Sequence, residues 1–213
     1  MRLTWIVLIF LLTGCSKAEQ IPSLPGDGVI LAFGDSITYG TGAAAGESYP
    51  AVLEQLAGRK VVNGGVPGEV TAEGVQRLPG LLEQLKPAVV IICEGGNDML
   101  RHTAHGEISA NLRTMVRLVK ERGASAVLVS VPALDLSFAP PPFYAEIAEE
   151  AGIPCDKKTL TRILTKRSLK SDPIHQTPPA TASWRRGWQN CSMKGALSDE
   201  TGFFVDLAEG ILY

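Results

Sequence analysis

Val29-Ile-Leu-Ala-Phe-Gly-Asp-Ser-Ile-Thr38 is the stretch on which the reading of this chain turns. Five apolar residues, Val29 to Phe33, run straight into Gly34, Asp35 and Ser36. A segment apolar at every position suits a strand buried on both faces, because alternation is expected only where one face meets water. The turn then delivers a hydroxyl at the strand's carboxyl end. Lys60–Val62 reads as a short strand and leads into Asn63-Gly-Gly-Val-Pro-Gly68. Ala88–Cys93 reads as a second strong strand, closely followed by Gly95-Gly96-Asn97-Asp98. Ala124–Val131 is another buried strand and Ile153–Cys155 a short one.

Helical patterns fill the intervals. Tyr49–Leu56 places Val52, Leu53 and Leu56 on one face, and Val70–Leu85 reads as a helix interrupted at Pro79-Gly80. Ile108–Arg122 is amphipathic, with Leu112, Met115, Val116 and Val119 at helical spacing. A turn-rich stretch with Pro140-Pro141-Pro142 precedes a helix near Phe143–Ala151. Apolar strands alternating with helices predict an α/β fold, a parallel sheet covered on both faces. In such folds the reactive residues collect outside the carboxyl ends of the strands. The polar motifs of this chain stand there.

The whole chain has 213 residues, 45% hydrophobic and 20% charged, enough to bury one core. A net charge of -2 gives no basic surface, so nucleic acid is not an expected partner. Its 22 glycines and 14 prolines are dispersed and form no repeat, which argues against a second folded domain.

The first residues read differently. Arg2 precedes the apolar run Trp5 to Leu12, which is too short to span a bilayer comfortably but suits a signal peptide. Leu12-Thr13-Gly14-Cys15 then resembles the lipobox of bacterial lipoproteins. That resemblance makes residues 1–14 a signal peptide and Cys15 a diacylglycerol-bearing new N-terminus. Residues 16–28, with Pro22, Pro25, Gly26 and Gly28, suit a tether. At roughly 0.8 kcal/mol per buried methylene, two or more chains anchor stably where one does not. The expected location is the bacterial cell envelope. Of the remaining cysteines, Cys93 reads as a small buried hydrophobe, and pairing of Cys155 with Cys191 cannot be read from sequence.

Ser36 at a strand-to-helix turn has its backbone N–H where developing negative charge is favoured, though a serine there also serves as a plain helix cap. Gly68 offers a loop N–H and Asn97 a side-chain amide, both suitable for an oxyanion. Each has an ordinary alternative, a turn glycine or a turn and cap residue. Asp98 reads as a loop-bracing carboxylate. Asp172-Pro-Ile-His175 supplies an imidazole to take and return a proton and a carboxylate to fix its tautomer; either alone fits a surface turn. His102 and His105 read as surface residues without ligand-spaced partners.

Occurring in this order, the four blocks resemble the SGNH hydrolases, the GDSL-type esterases. Within them the likeness is to the small bacterial arylesterase/lysophospholipase/acyl-thioesterase group, over Val29 to His175. The resemblance implies a three-layer α/β/α sandwich with a flavodoxin-like parallel sheet and no metal or cofactor. It implies Ser36 as nucleophile, Asp172 and His175 completing the triad, and an oxyanion hole from the Ser36 N–H, the Gly68 N–H and the Asn97 side chain. The expected reaction is hydrolysis of acyl esters, thioesters or lysophospholipids through an acyl-enzyme. Two alternatives use the same residues differently: a glycan O-deacetylase with the same triad, or a catalytically degenerate surface lipoprotein. Nucleotide binding is disfavoured, since no glycine-rich phosphate fingerprint follows the first strand.

The resemblance stops after His175, where the family has a proline, an asparagine, a Gly-Tyr pair and an amphipathic helix. Here Pro178 and Pro179 forbid a regular helix. Under one permitted coding of residues 176–191, restoring a single C after the first base gives Pro-Asn-Ala-Ala-Gly-Tyr-Arg-Lys-Leu-Ala-Glu-Gly-Leu-Ala-Lys-Leu. Trp184 and Trp188 have one codon each and leave that outcome little freedom. The expectation is that residues 176–213 are an atypical, frameshifted tail, with the C-terminal helix lost or replaced. Losing three or four buried Leu-sized side chains forfeits roughly 1.5–3 kcal/mol each. Sequencing the gene checks it, and finding no one-base change that restores such an ending sinks it.

Overall fold

Ile30–Gly34 (β1) is the strand expected from the opening stretch, and all five of its residues are buried. The computed structural model describes residues 27–44, 46–133 and 137–166. Val61–Gly65 (β2), Val89–Cys93 (β3), Ser125–Val129 (β4) and Cys155–Asp156 (β5) complete one sheet in the order β2-β1-β3-β4-β5. Every pairing is parallel. The order is flavodoxin-like, with a topological switch point between β1 and β3.

Right-handed crossovers decide which face each helix takes. The step from β1 to β2 runs one way across the sheet, and every later step runs the other way. Thr71–Leu85 (α3), His105–Glu121 (α5) and Phe143–Ala151 (α6) therefore share one face, where α5 packs against both others. Ser36–Tyr39 (α1) and Tyr49–Ala57 (α2) belong to the first crossover and pack on β2. Helices on both faces make the expected three layers. The predicted stripe of α5 points inward, since Leu112, Met115, Val116 and Val119 are all buried. Gly96–Leu100 (α4) and Thr159–Thr165 (α7) are further short helices.

Two sequence expectations need correction. The helix expected to break at Pro79-Gly80 continues to Leu85. Proline removes one backbone donor at a cost of about 3 kcal/mol. Burial of Leu78 and Leu82 on either side of it holds the two segments in register. The second strand, expected to end at Val62, extends through Asn63, Gly64 and Gly65, pairing with Ala32, Phe33 and Gly34. Gly65 is required there because a Cβ would lie 2.1 Å from the Tyr39 nitrogen and 2.7 Å from the Thr38 carbonyl carbon. Gly65→Ala is expected to lose about 1–3 kcal/mol in urea unfolding, since only backbone movement relieves the clash. A loss within experimental error would show that α1 does not press on β2.

Candidate active site

β1 ends in a turn that only glycine permits. A Cβ on Gly34 would lie 2.2 Å from Thr38 Oγ1 and 2.3 Å from the Cys93 carbonyl oxygen. Asp35 then caps α1 by accepting from the Ile37 N–H at 2.9 Å. Ser36 becomes the first residue of α1. The Thr38 hydroxyl lies 3.0 Å from the buried Tyr49 hydroxyl, tying α1 to α2.

The β2–α3 connection is a tight turn. The Glu69 N–H donates to the Val66 carbonyl at 3.2 Å, Pro67 and Gly68 occupy the centre, and Gly68 has φ +83°. This is the proline-then-glycine pattern of a type II turn. Arg101 donates to the Gly68 carbonyl at 2.9 Å, so the loop is held from α4. The Glu69 side chain is held from α3 by Arg77, through bonds of 2.6 and 2.5 Å. The Arg77 guanidinium in turn lies over the Phe33 ring, 4.2 Å from its centroid.

Asn97 on α4 joins these blocks. Its amide nitrogen donates to the Glu69 carbonyl at 2.9 Å and, at 3.2 Å, to the second carboxylate oxygen of Asp35. Asp98 is buried and accepts from the Thr71 backbone at 2.9 Å and the Thr71 hydroxyl at 2.6 Å. It braces the loop, as read from sequence. Cys93 is likewise fully buried, and burial, reinforced by the negative charge of Asp35, pushes its thiol well up. It is inert packing and no nucleophile.

Ser36 and Asn97 border one cavity of about 630 Å³ at the carboxyl edge of the sheet. Met99, Leu100, Val131, Pro132 and Leu164 give it an apolar wall. His102 and His105 are exposed, as expected, but both line this cavity. Their place just after the Asn97 block, at a strand's carboxyl end, is the sequence signal for that position. Glu69, Arg77 and Arg101 carry no such signal, because their roles arise from contacts between separate loops. Gly68 does not line the cavity, but both its carbonyl and its neighbour's are bonded to α4. Asp172, His175, Cys15 and Cys191 lie outside the described residues.

Comparison with known proteins agrees with this arrangement. Residues 32–155 match the model of the GDSL-like Lipase/Acylhydrolase family. The chain is 30% identical over 196 residues to an arylesterase of Vibrio mimicus, covering 84% of this chain and 91% of that protein. It is also 30% identical over 168 residues to thioesterase 1/protease 1/lysophospholipase L1 of Escherichia coli K12, covering 73% and 80%. Among solved structures, that of TesA superposes with a TM-score of 0.70 at 26% identity, covering 79% of this chain and 99% of that one. Fold, motif positions and kinship converge: the chain belongs to the GDSL-like lipase/acylhydrolase family and is a carboxylic ester hydrolase of that type.

Proposed function

We propose that this hydrolase cleaves acyl esters, thioesters or lysophospholipids through an acyl-enzyme on Ser36, at the surface of the membrane that holds its lipidated Cys15. Ser36 attacks the acyl carbonyl, and His175, oriented by Asp172, takes the hydroxyl proton and returns it to the leaving group. Water then attacks the acyl-enzyme with His175 as base. The Ser36 N–H, the Gly68 N–H and an Asn97 amide hydrogen receive the oxyanion. Asn97 serves by giving up its longer bond, the 3.2 Å contact to Asp35, while keeping the 2.9 Å bond to Glu69.

The observation that carries the reading is the convergence of Ser36, Asn97 and the Gly68–Glu69 loop at the switch point, beside a cavity with an apolar wall. That wall suits an acyl chain better than an acetyl group alone, which favours acyl esters over glycan O-acetyl groups. The exposed large hydrophobic residues among those described, Tyr39, Val66 and Leu100, all follow carboxyl strand ends on this side of the sheet. They suit approach to a lipid surface. Relatives named arylesterase and lysophospholipase act on substrates of this chemistry.

A p-nitrophenyl ester series tests the substrate class. Each added methylene that reaches the wall is expected to raise kcat/KM about two- to fourfold, from roughly 0.8 kcal/mol per methylene at full burial, until the cavity is filled. A profile that peaks at acetate and falls thereafter would favour the deacetylase reading. No hydrolysis of any ester, by this chain or by one carrying the reconstructed ending, would end the esterase reading.

A further inference from the structure

Four carboxyl groups crowd beneath the site. Asp35 follows β1, Glu69 precedes α3, Glu94 follows β3 and Asp98 lies on α4, with exposures of 2, 4, 0 and 2%. Three of them have donors that suit a carboxylate. Asp35 accepts from the Ile37 backbone and the Asn97 amide, Glu69 from Arg77 through both oxygens, and Asp98 from Thr71 twice. Glu94 is different. Neither of its buried carboxyl oxygens meets a hydrogen-bond partner of ordinary geometry among the described residues. The Arg77 guanidinium, which serves this cluster, is bonded to Glu69.

A buried carboxylate without a donor or a cation is strongly disfavoured, and the alternative open to the group is to keep its proton. We propose that Glu94 is a positioning residue that works as a neutral carboxylic acid, and that its ionisation disables the oxyanion hole. The proposal rests on Asn97 being an oxyanion donor. Asn97 is held by the Asp35 carboxylate and by the Glu69 main chain. A negative charge on Glu94 repels both holders and adds an unfavourable potential where the oxyanion forms.

The electrostatics agree in direction. Burial raises the Glu94 carboxyl well above the ordinary range; the negative charge of Asp35, a side-chain interaction with Glu69 to which only a protonated Glu94 can donate, and the charges of Glu69 and Asp98 push the same way. The other titratable groups in this field are Tyr49 of α2, Tyr144 of α6 and Cys93 of β3. All three are raised by burial and stay neutral. The Tyr144 hydroxyl donates at 2.8 Å to the Glu94 main-chain carbonyl and not to its side chain.

Stability follows the same sign. The unfolded chain releases the Glu94 proton near pH 4.3 while the folded chain retains it, so wild type loses stability as pH rises from there to the folded value. Glu94→Gln keeps shape and neutrality and is spared that loss. Its Tm relative to wild type is expected to rise with pH above about 4.3.

Three readouts decide the matter. In wild type, kcat is expected to fall at alkaline pH, and in Glu94→Gln that fall is absent while kcat at neutral pH stays within about threefold of wild type. Infrared spectra of wild type at neutral pH should show the carbonyl band of a protonated carboxyl, a measurement that needs neither a folded variant nor catalysis. An alkaline fall that persists unchanged in folded Glu94→Gln overturns the proposal. So does collapse of its activity at every pH, or absence of the band. If the band is present while no ester is hydrolysed, the catalytic reading fails and the neutral acid stands.

Discussion

Ser36→Ala is expected to lower kcat by about 10⁴-fold or more while leaving KM for short esters nearly unchanged. A loss of that size corresponds to roughly 5.5 kcal/mol of transition-state stabilisation. It should be so large because the remaining donors cannot replace a covalent route. The variant should fold, since α1 is capped by the Asp35 side chain, which the substitution does not touch. Circular dichroism and urea melting establish the fold, and steady-state hydrolysis of p-nitrophenyl butyrate measures the loss. A folded Ser36→Ala protein with more than about 1% of wild-type kcat contradicts the role given to this hydroxyl.

Asn97→Ala carries the second large effect. Removing one oxyanion donor costs about 10²–10³ in kcat, near 3 kcal/mol. Here the substitution also leaves the Glu69 carbonyl and one Asp35 oxygen without their amide partner. Losing the partner of a buried acceptor such as the Glu69 carbonyl costs about 1–3 kcal/mol, so a fall in stability should accompany the fall in rate. Asn97→Asp separates the two effects poorly, because it adds a charge beside Asp35. Asn97→Gln is the better control, since it keeps an amide but displaces it by one methylene. Kinetics and urea melting on the same preparations distinguish the outcomes. A stability loss with kcat unchanged would leave Asn97 as a brace between loops and nothing more.

The central strands were legible because burial on both faces writes itself as unbroken apolar runs. Ile30 to Phe33 and Val89 to Cys93 are all fully buried. The long helices were legible for the matching reason, as in the α5 stripe. What escaped has identifiable causes. Gly64 and Gly65 have poor strand propensity, and only pairing with β1 and the closeness of α1 explain why β2 runs through them. α1 and α4, four and five residues long, are too short to show a period. α7 buries Leu160, Ile163 and Leu164 at helical spacing, but the surrounding lysines and threonines obscure so short a pattern. Leu164 then turns out to form part of the cavity wall.

Within the site, the residues proposed to carry chemistry, Ser36 and Asn97, stand in motifs legible in the sequence, whereas the residues that hold those loops do not. The bonds from Arg77 to Glu69 and from Arg101 to Gly68 join residues 8 and 33 positions apart, and no local pattern predicts them. Glu94 gave no signal either. It stands beside the Gly95-Gly96-Asn97-Asp98 block as one more acid, and its complete burial without a donor of ordinary geometry among the described residues sets it apart.

The most direct test is to treat the protein with an alkyl fluorophosphonate during ester turnover, then map the adduct by peptide mass. One phosphonyl group is expected, on the tryptic peptide that contains Ser36, formed as activity disappears and absent from Ser36→Ala. Hydrolysis that continues in fully labelled protein, or an adduct on another residue that accounts for the lost activity, would contradict an acyl-enzyme at Ser36.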